Sequence, residues 1–309
     1  MARRGWDELA AWRDHRMGER GDLWHRAIID PSLLEVVGPV RGLAVLDLAC
    51  GNGYLTRRFA REGAVRSVGV EYSLPTLSLA RRREQQRPSG AQFVRRDARR
   101  LVGFEATSFD LVVANMALQD IRDAGATIRE VARVLRPDGR FVFSLSHPCF
   151  DLDERSGWFV ERVREPTGIW HDVVWRKVRL YRDERKVAVP WDMAGHETGW
   201  TTAYHRTLST YSRLLREAGL VISRLEEPSP LREAVEKSPQ GPFMREVPLH
   251  LVIEARFGGL GKAPRRRMRS TRPGSRTSAG SSKRATRRSG SDGRTRHSGS
   301  RARGSTNGS

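Results

Sequence analysis

The chain has 309 residues, 38% of them hydrophobic, with 56 Lys+Arg against 36 Asp+Glu and a formal charge of +20. That length and apolar content supply material for a buried core and exclude fibrous and wholly disordered classes. The charge is typical of a polyanion binder until it is located: +14 of the +20 falls in residues 262–309, leaving +6 over residues 1–261.

In chain order, Trp6, Leu9 and Ala10, then Leu23, Ala27 and Ile28, show helical spacing and predict an N-terminal helical cap over residues 1–40. Over residues 41–146 short apolar runs alternate with helical patterns, the signature of a parallel sheet. Strands are expected at 44–48, 67–70, 92–95, 111–114 and 141–145. Ser73 and Pro75 open a helix with Leu74, Leu77 and Ala80 facing inward. A helix over 126–136 places Ile128, Val131, Ala132 and Leu135 on one face before the Pro137-Asp138-Gly139 turn.

Residues 147–207 break the rhythm and hold five of the eight tryptophans, Trp158, Trp170, Trp175, Trp191 and Trp200. They are expected to form an inserted lid, with most of these rings as its own core. Residues 208–257 complete the sheet: Ser209 caps a helix with Tyr211, Leu214, Leu215 and Ala218 inward, Gly219 ends it, and strands follow at 220–225 and 247–257. Alternation of Leu249, Leu251, Ile253 and Ala255 with His250, Glu254 and Arg256 predicts an edge position for the last strand. Residues 258–309, dominated by Gly, Ser, Thr and Arg, are expected to be a disordered basic tail. Cys50 and Cys149 show no metal-ligand or disulfide spacing, so a reduced, cytoplasmic protein with no metal is expected. No signal-type apolar region and no run of about 18 apolar residues occurs, so no membrane association is expected.

The first strand runs into Asp47-Leu48-Ala49-Cys50-Gly51-Asn52-Gly53-Tyr54, and a helix follows at once. A strand, a glycine turn and a helix start make a ligand seat, because glycine lets backbone N–H groups approach a ligand closely. A dinucleotide fingerprint would need a third small residue where Thr56 stands. Asp47 is poorly placed beside a pyrophosphate and well placed to accept hydrogen bonds from a cationic amine. Glu71, at the end of the second strand, suits the hydroxyls of a ribose. Asp97 follows the third strand in the same way. Any one of these acids can be an ordinary turn or capping residue; together they describe a nucleoside-type ligand with positive charge and no phosphates.

That description, with Asp47 to Gly53 as a DxACGxG turn, resembles the class I S-adenosylmethionine (SAM)-dependent methyltransferases of the small-molecule type. Further matches are Phe109 to Met116, similar to that family's fourth-strand segment, and Val134 to Arg140, similar to its turn into strand five. The resemblance implies an α/β, Rossmann-like, seven-stranded, mostly parallel doubly wound sheet with an antiparallel edge strand, N-terminal helices and the inserted lid. It implies SAM as cofactor, with Asp47, Ala49, Cys50, Gly51, Asn52 and Gly53 around the methionine part. By the same likeness Glu71 and Tyr72 lie at the ribose, Asp97 and Ala98 at the adenine, and Asn115 and Met116 at the transfer site. Ala49 departs from the pattern, since many members have glycine there.

Methyl transfer is an in-line displacement, so the protein has to align an acceptor, exclude water and, for some acceptors, remove a proton. His147, Tyr204 and His205 are the candidates on the acceptor side, with His147 either a general base or a group that orients the lid. Residues 18–26 resemble a segment that folds over the cofactor, and Arg26 is a candidate partner for the methionine carboxylate. The acceptor is expected to be a small molecule, with the tail free to touch polyanions. An RNA-directed enzyme anchored by the tail, or a non-catalytic SAM- or nucleotide-binding regulator, also fits. Against the first, Met116-Ala117-Leu118 follows Asn115 where base-amine enzymes carry Pro-Pro-aromatic.

Overall fold

A computed structural model describes residues 5–193 and 197–258 of the chain. Its N-terminal part is helical: α1 (Trp6–Met17), a π-helical turn (His25–Ile29) and α2 (Asp30–Val37). The alternating region then gives β1 (Ala44–Leu48), α3 (Tyr54–Arg61), β2 (Arg66–Glu71), α4 (Leu74–Gln86), β3 (Gln92–Arg95), β4 (Phe109–Ala114), α5 (Ala124–Val134) and β5 (Leu135–Ser146). Two hairpins follow, β6 (Ser156–Arg164) with β7 (Trp170–Val178) and β8 (Lys186–Met193) with β9 (Glu197–Tyr204). The chain closes with α6 (Leu208–Glu217), β10 (Leu220–Glu226), α7 (Arg232–Lys237) and β11 (His250–Phe257).

Seven strands form one sheet in the order β10-β11-β5-β4-β1-β2-β3. Pairings from β3 to β5 are parallel, and β11 is antiparallel to both β5 and β10. This is the doubly wound, Rossmann-like α/β fold expected. β1 is buried throughout, as a central parallel strand must be. Leu46 and Leu48 join Ile128 and Val131 of α5 and Tyr211 and Leu215 of α6 in one cluster. Val45 joins Leu33 and Val36 of α2 and Leu55 and Phe59 of α3 in another. Alternate residues thus feed opposite helix layers.

Several local expectations are corrected. The last strand is one in from the edge, because β10 pairs on its outer side. Of its polar residues Glu254 is buried and accepts hydrogen bonds from Arg256, Ser223 and Arg140, His250 is buried as well, and Arg256 is exposed. Alternation therefore did not mark a wet face along the strand. Thr207, not Ser209, caps α6, its hydroxyl accepting the Thr210 N–H. Leu74 is 46% exposed while Leu77 and Ala80 are buried. α5 ends at Val134, since the chain already pairs as strand at Leu135; the Pro137-Asp138-Gly139 turn lies inside a register break between β4 and β5. Among the tryptophans of residues 147–207, Trp170 and Trp175 are about half exposed, so they are no core. Residues 259–309, most of the expected tail, lie outside the described residues. Among the described residues no helix is long and apolar enough to cross a membrane.

Candidate active site

In a parallel sheet all strand C-termini open on one side, and the antiparallel β11 brings its N-terminal end there, with His250 opposite Ser146 at the end of β5. One cavity of about 950 Å³ lies over these ends. Its roof joins α1 to the β8–β9 hairpin. Trp191 packs against Trp6 and Trp12, with ring centroids 5.9 and 6.0 Å away, and the Gly5 N–H donates to the Trp200 carbonyl at 2.7 Å.

Over β1–β3 the wall is the glycine turn and its acids. Gly51 (φ +58°) and Gly53 (φ +77°) take left-handed backbone conformations, and a Cβ on Gly53 would stand 2.3 Å from the Phe93 ring. Gly53 does not line the cavity; it seats the turn on β3. Ala49 also has positive φ, +50°, which is the physical reason glycine suits that position. Asn52 donates to the Gly18 carbonyl (2.8 Å) and to Asp14 (3.1 Å), fastening the turn to residues 14–18 of the roof. Cys50 lines the cavity, and burial pushes its thiol well up.

Asp47 is buried and accepts a hydrogen bond from the Thr56 hydroxyl at 2.6 Å. Burial above all, then the negative charge of Glu71, pushes its carboxyl up to about 7 despite that bond. No basic side chain among the described residues pairs with it. Glu71 accepts the Gly51 N–H (3.1 Å) and the Ser73 N–H (2.9 Å), one on each oxygen. Burial raises its carboxyl while those donors oppose the shift, and each oxygen keeps a lone pair for a ligand hydroxyl. Asp97 is held below its ordinary range by the Arg99 guanidinium, 2.6 Å away. Tyr72 and Ala98 line the cavity between these acids. A buried carboxylate awaiting a cation, a second with free lone pairs and a glycine turn without a pyrophosphate seat fit the donor set that SAM needs.

Over β4 and β5, Asn115 donates to Asp30 and to the Tyr54 hydroxyl, both at 2.9 Å. The Met116 N–H donates to Ser144 at 2.8 Å, and Met116 is held at φ +51°. Tyr204 lines both this cavity and an adjoining one of about 510 Å³ under the hairpin; Gln119, Ser146 and Asp151 belong to both as well.

Three sequence candidates are not brought to the main cavity. His147 is buried with its ring turned to Glu227 (3.0 Å) and accepting the Cys149 N–H (3.1 Å), so it anchors the chain leaving β5. His205 bonds the Tyr181 carbonyl at 2.8 Å and lines the adjoining cavity alone. Arg26 pairs at the surface with Glu233 of α7, at 2.7 Å, so it does not face a ligand carboxylate. From the same N-terminal region Arg13, Asp22 and His25 line the cavity instead, joined by Asp120 and His250. Asp120 has no side-chain hydrogen bond among the described residues, and burial pushes its carboxyl up to about 8 against the opposing charge of Arg13. The signal for Asp22 and His25 was their i, i+3 spacing; nothing local marked Asp120 or His250.

Comparison with known proteins agrees with this geometry. A methyltransferase-domain family profile matches residues 46–143. A demethylmenaquinone methyltransferase of Beutenbergia cavernae is 31% identical over 196 residues, spanning 60% of this chain and 75% of that protein. A 2-phytyl-1,4-naphtoquinone methyltransferase of Thermosynechococcus vestitus is 28% identical over 169 residues, 51% of this chain and 73% of that one. The crystal structure of a SAM-dependent methyltransferase from Mesorhizobium loti superposes with a TM-score of 0.56 at 28% identity, covering 73% of this chain and 96% of that one. With its strand order, its glycine turn and its ring of strand-end acids, the chain belongs to the class I SAM-dependent methyltransferases.

Proposed function

We propose that the enzyme moves a methyl group from SAM directly to a small-molecule acceptor held in the same cavity. What carries this reading is the continuity of one cavity from the acids of β1–β3 to the apolar and histidine-bearing wall of β4, β5 and β11. Bound SAM supplies an electrophilic methyl on a sulfonium centre. Asp47 takes the ammonium group, and the backbone from Ala49 to Gly53, with Cys50 and Asn52, follows the methionine part. Glu71 and Tyr72 meet the ribose, and Asp97 with Ala98 borders the adenine. Asn115 and Met116 position the methyl end, and Tyr204 touches the acceptor. That several relatives are named for quinone substrates supports a small acceptor.

Calorimetry tests the cofactor side. SAM and S-adenosylhomocysteine are expected to bind, and Glu71→Ala to weaken both about 30- to 150-fold, since losing a charged hydrogen-bond partner costs about 2–3 kcal/mol. NADH binding without SAM binding would refute the assignment. For the acceptor, methyl-labelled SAM incubated with a cell extract should label metabolites; label in RNA that survives removal of residues 258–309 would point to a nucleic-acid substrate instead.

A further inference from the structure

Two histidines face the cavity without a role so far, and one is built like a base. His25 lies at the start of the π-helical turn, a distortion that often marks functional positions. Its ring is 6% exposed, and its Nδ1 meets Asp22 Oδ1 at 2.7 Å. Asp22 is itself buried, and also accepts its other bonds from the His25 N–H (3.1 Å) and Arg13 (2.9 Å). Burial would raise the Asp22 carboxyl, but the His25 and Arg13 contacts outweigh it and hold it far below its ordinary range. A carboxylate fixed on Nδ1 sets the tautomer that leaves Nε2 as proton acceptor. Among the described residues nothing bonds His25 Nε2.

The surroundings define what can reach it. Trp24, Ile29, Met116, Met244 and Leu249 line this end of the cavity, giving an apolar chamber. His250, 9% exposed, has a buried Nδ1 with no hydrogen-bond partner among the described residues. Burial holds its ring neutral, down to about 3, so it offers a hydrogen bond without a charge. The charged and titratable groups facing His25 are Asp22, Arg13 and Arg16 of the roof, Asp30 of α2, Tyr54 of α3 and His250 of β11.

We propose that His25, oriented by Asp22, takes the proton of a phenol-type hydroxyl on an apolar, ring-bearing acceptor bound over β4, β5 and β11. This rests on the reading that the β1–β3 half holds the methyl donor. The acceptor oxygen forms the O–CH₃ bond while the sulfonium C–S bond breaks with its electron pair on sulfur. The hydroxyl proton passes to His25 Nε2 and from there to solvent. An imidazole matches a phenolic hydroxyl, with a pKa near 10, better than an aliphatic alcohol.

The test uses the full chain saturated with S-adenosylhomocysteine and 4-nitrophenol as probe, read by its phenolate absorbance. In the wild type the bound probe should ionise at a proton concentration roughly tenfold higher than the free probe, a one-unit shift. His25→Gln should abolish that shift with nucleoside affinity unchanged, Asp22→Asn should reduce it, and His147→Gln, outside the cavity, should leave it intact. Label transfer from methyl-labelled SAM to extract metabolites should fall about 10²- to 10⁴-fold in His25→Gln, with partial recovery on adding imidazole. If His25→Gln fails to fold, Asp22→Asn carries the same comparison. A probe that stays neutral, fails to bind, or ionises equally in wild type and His25→Gln overturns the proposal. Failure of S-adenosylhomocysteine to bind the wild type instead overturns the reading of the donor half, and the proposal with it.

Discussion

Over β1–β3 the cavity wall is drawn from strand-to-helix turns, with Asp47 to Asn52 supplying most of one side and Glu71 and Asp97 standing at the next two strand ends. Over β4, β5 and β11 it is assembled from Trp24 and His25, Met116, Tyr204, Met244 and His250, five separate stretches of chain. The first half is held by backbone conformation and by hydrogen bonds to main-chain groups; the second is held by side-chain packing. A wall made of backbone tolerates little substitution, whereas a wall made of packed side chains can change its ligand while the fold persists.

That contrast can be broken in four ways. The largest effect is expected at Gly53→Val, where left-handed strain and collision with Phe93 together should cost about 3–5 kcal/mol; a denaturant midpoint close to wild type would show that the turn is not rigid. Next comes the pH dependence of SAM binding. The Asp47 carboxyl sits near 7 in the free folded chain, above its ordinary value of 3.8, because it is buried. Binding an ammonium group favours the ionised form and so releases that proton. Affinity should therefore fall about fivefold between pH 7, where half of the carboxyls are already ionised, and pH 6, and approach tenfold per unit only below that; Asp47→Asn should flatten the profile in calorimetry.

A smaller and opposite change is expected at Ala49→Gly. Relief of a positive φ, worth about 1 kcal/mol, exceeds the added unfolded-state entropy and should raise stability by about 0.5 kcal/mol, measured by thermal melting. Smallest is Trp175→Ala on the β6–β7 hairpin. Its ring is 49% exposed and its indole N–H donates to Glu161, so the loss should be about 0.5 kcal/mol or less; a loss of several kcal/mol would mean that this hairpin is packed like the sheet.

The same contrast explains what the amino-acid order reveals. Short apolar runs and turn residues are local signals, so the positions of β1 and β3 and the cap at Ser73 are legible from neighbours alone. Asp47, Glu71 and Asp97 are legible because parallel topology sends every strand end to one side. For His147 and His205 the sequence left the direction open, because a histidine beside a strand end can face either way, and the partners, Glu227 and the Tyr181 carbonyl, decide it. His250 hid in a strand whose alternation resembled an edge. Asp120 carries no pattern at all; its chemistry comes from burial, which only the tertiary structure sets.

The tilted packing of Trp191 against Trp6 and Trp12, with the Gly5–Trp200 hydrogen bond beside it, ties two distant stretches of chain into one cover. The N-terminal helix and the β8–β9 hairpin are coupled by these contacts, so parting either from the sheet disturbs the aromatic contact they share. Removing the Trp191 ring is therefore expected to loosen the helix and the hairpin together, as one locally unfolding unit over the cavity.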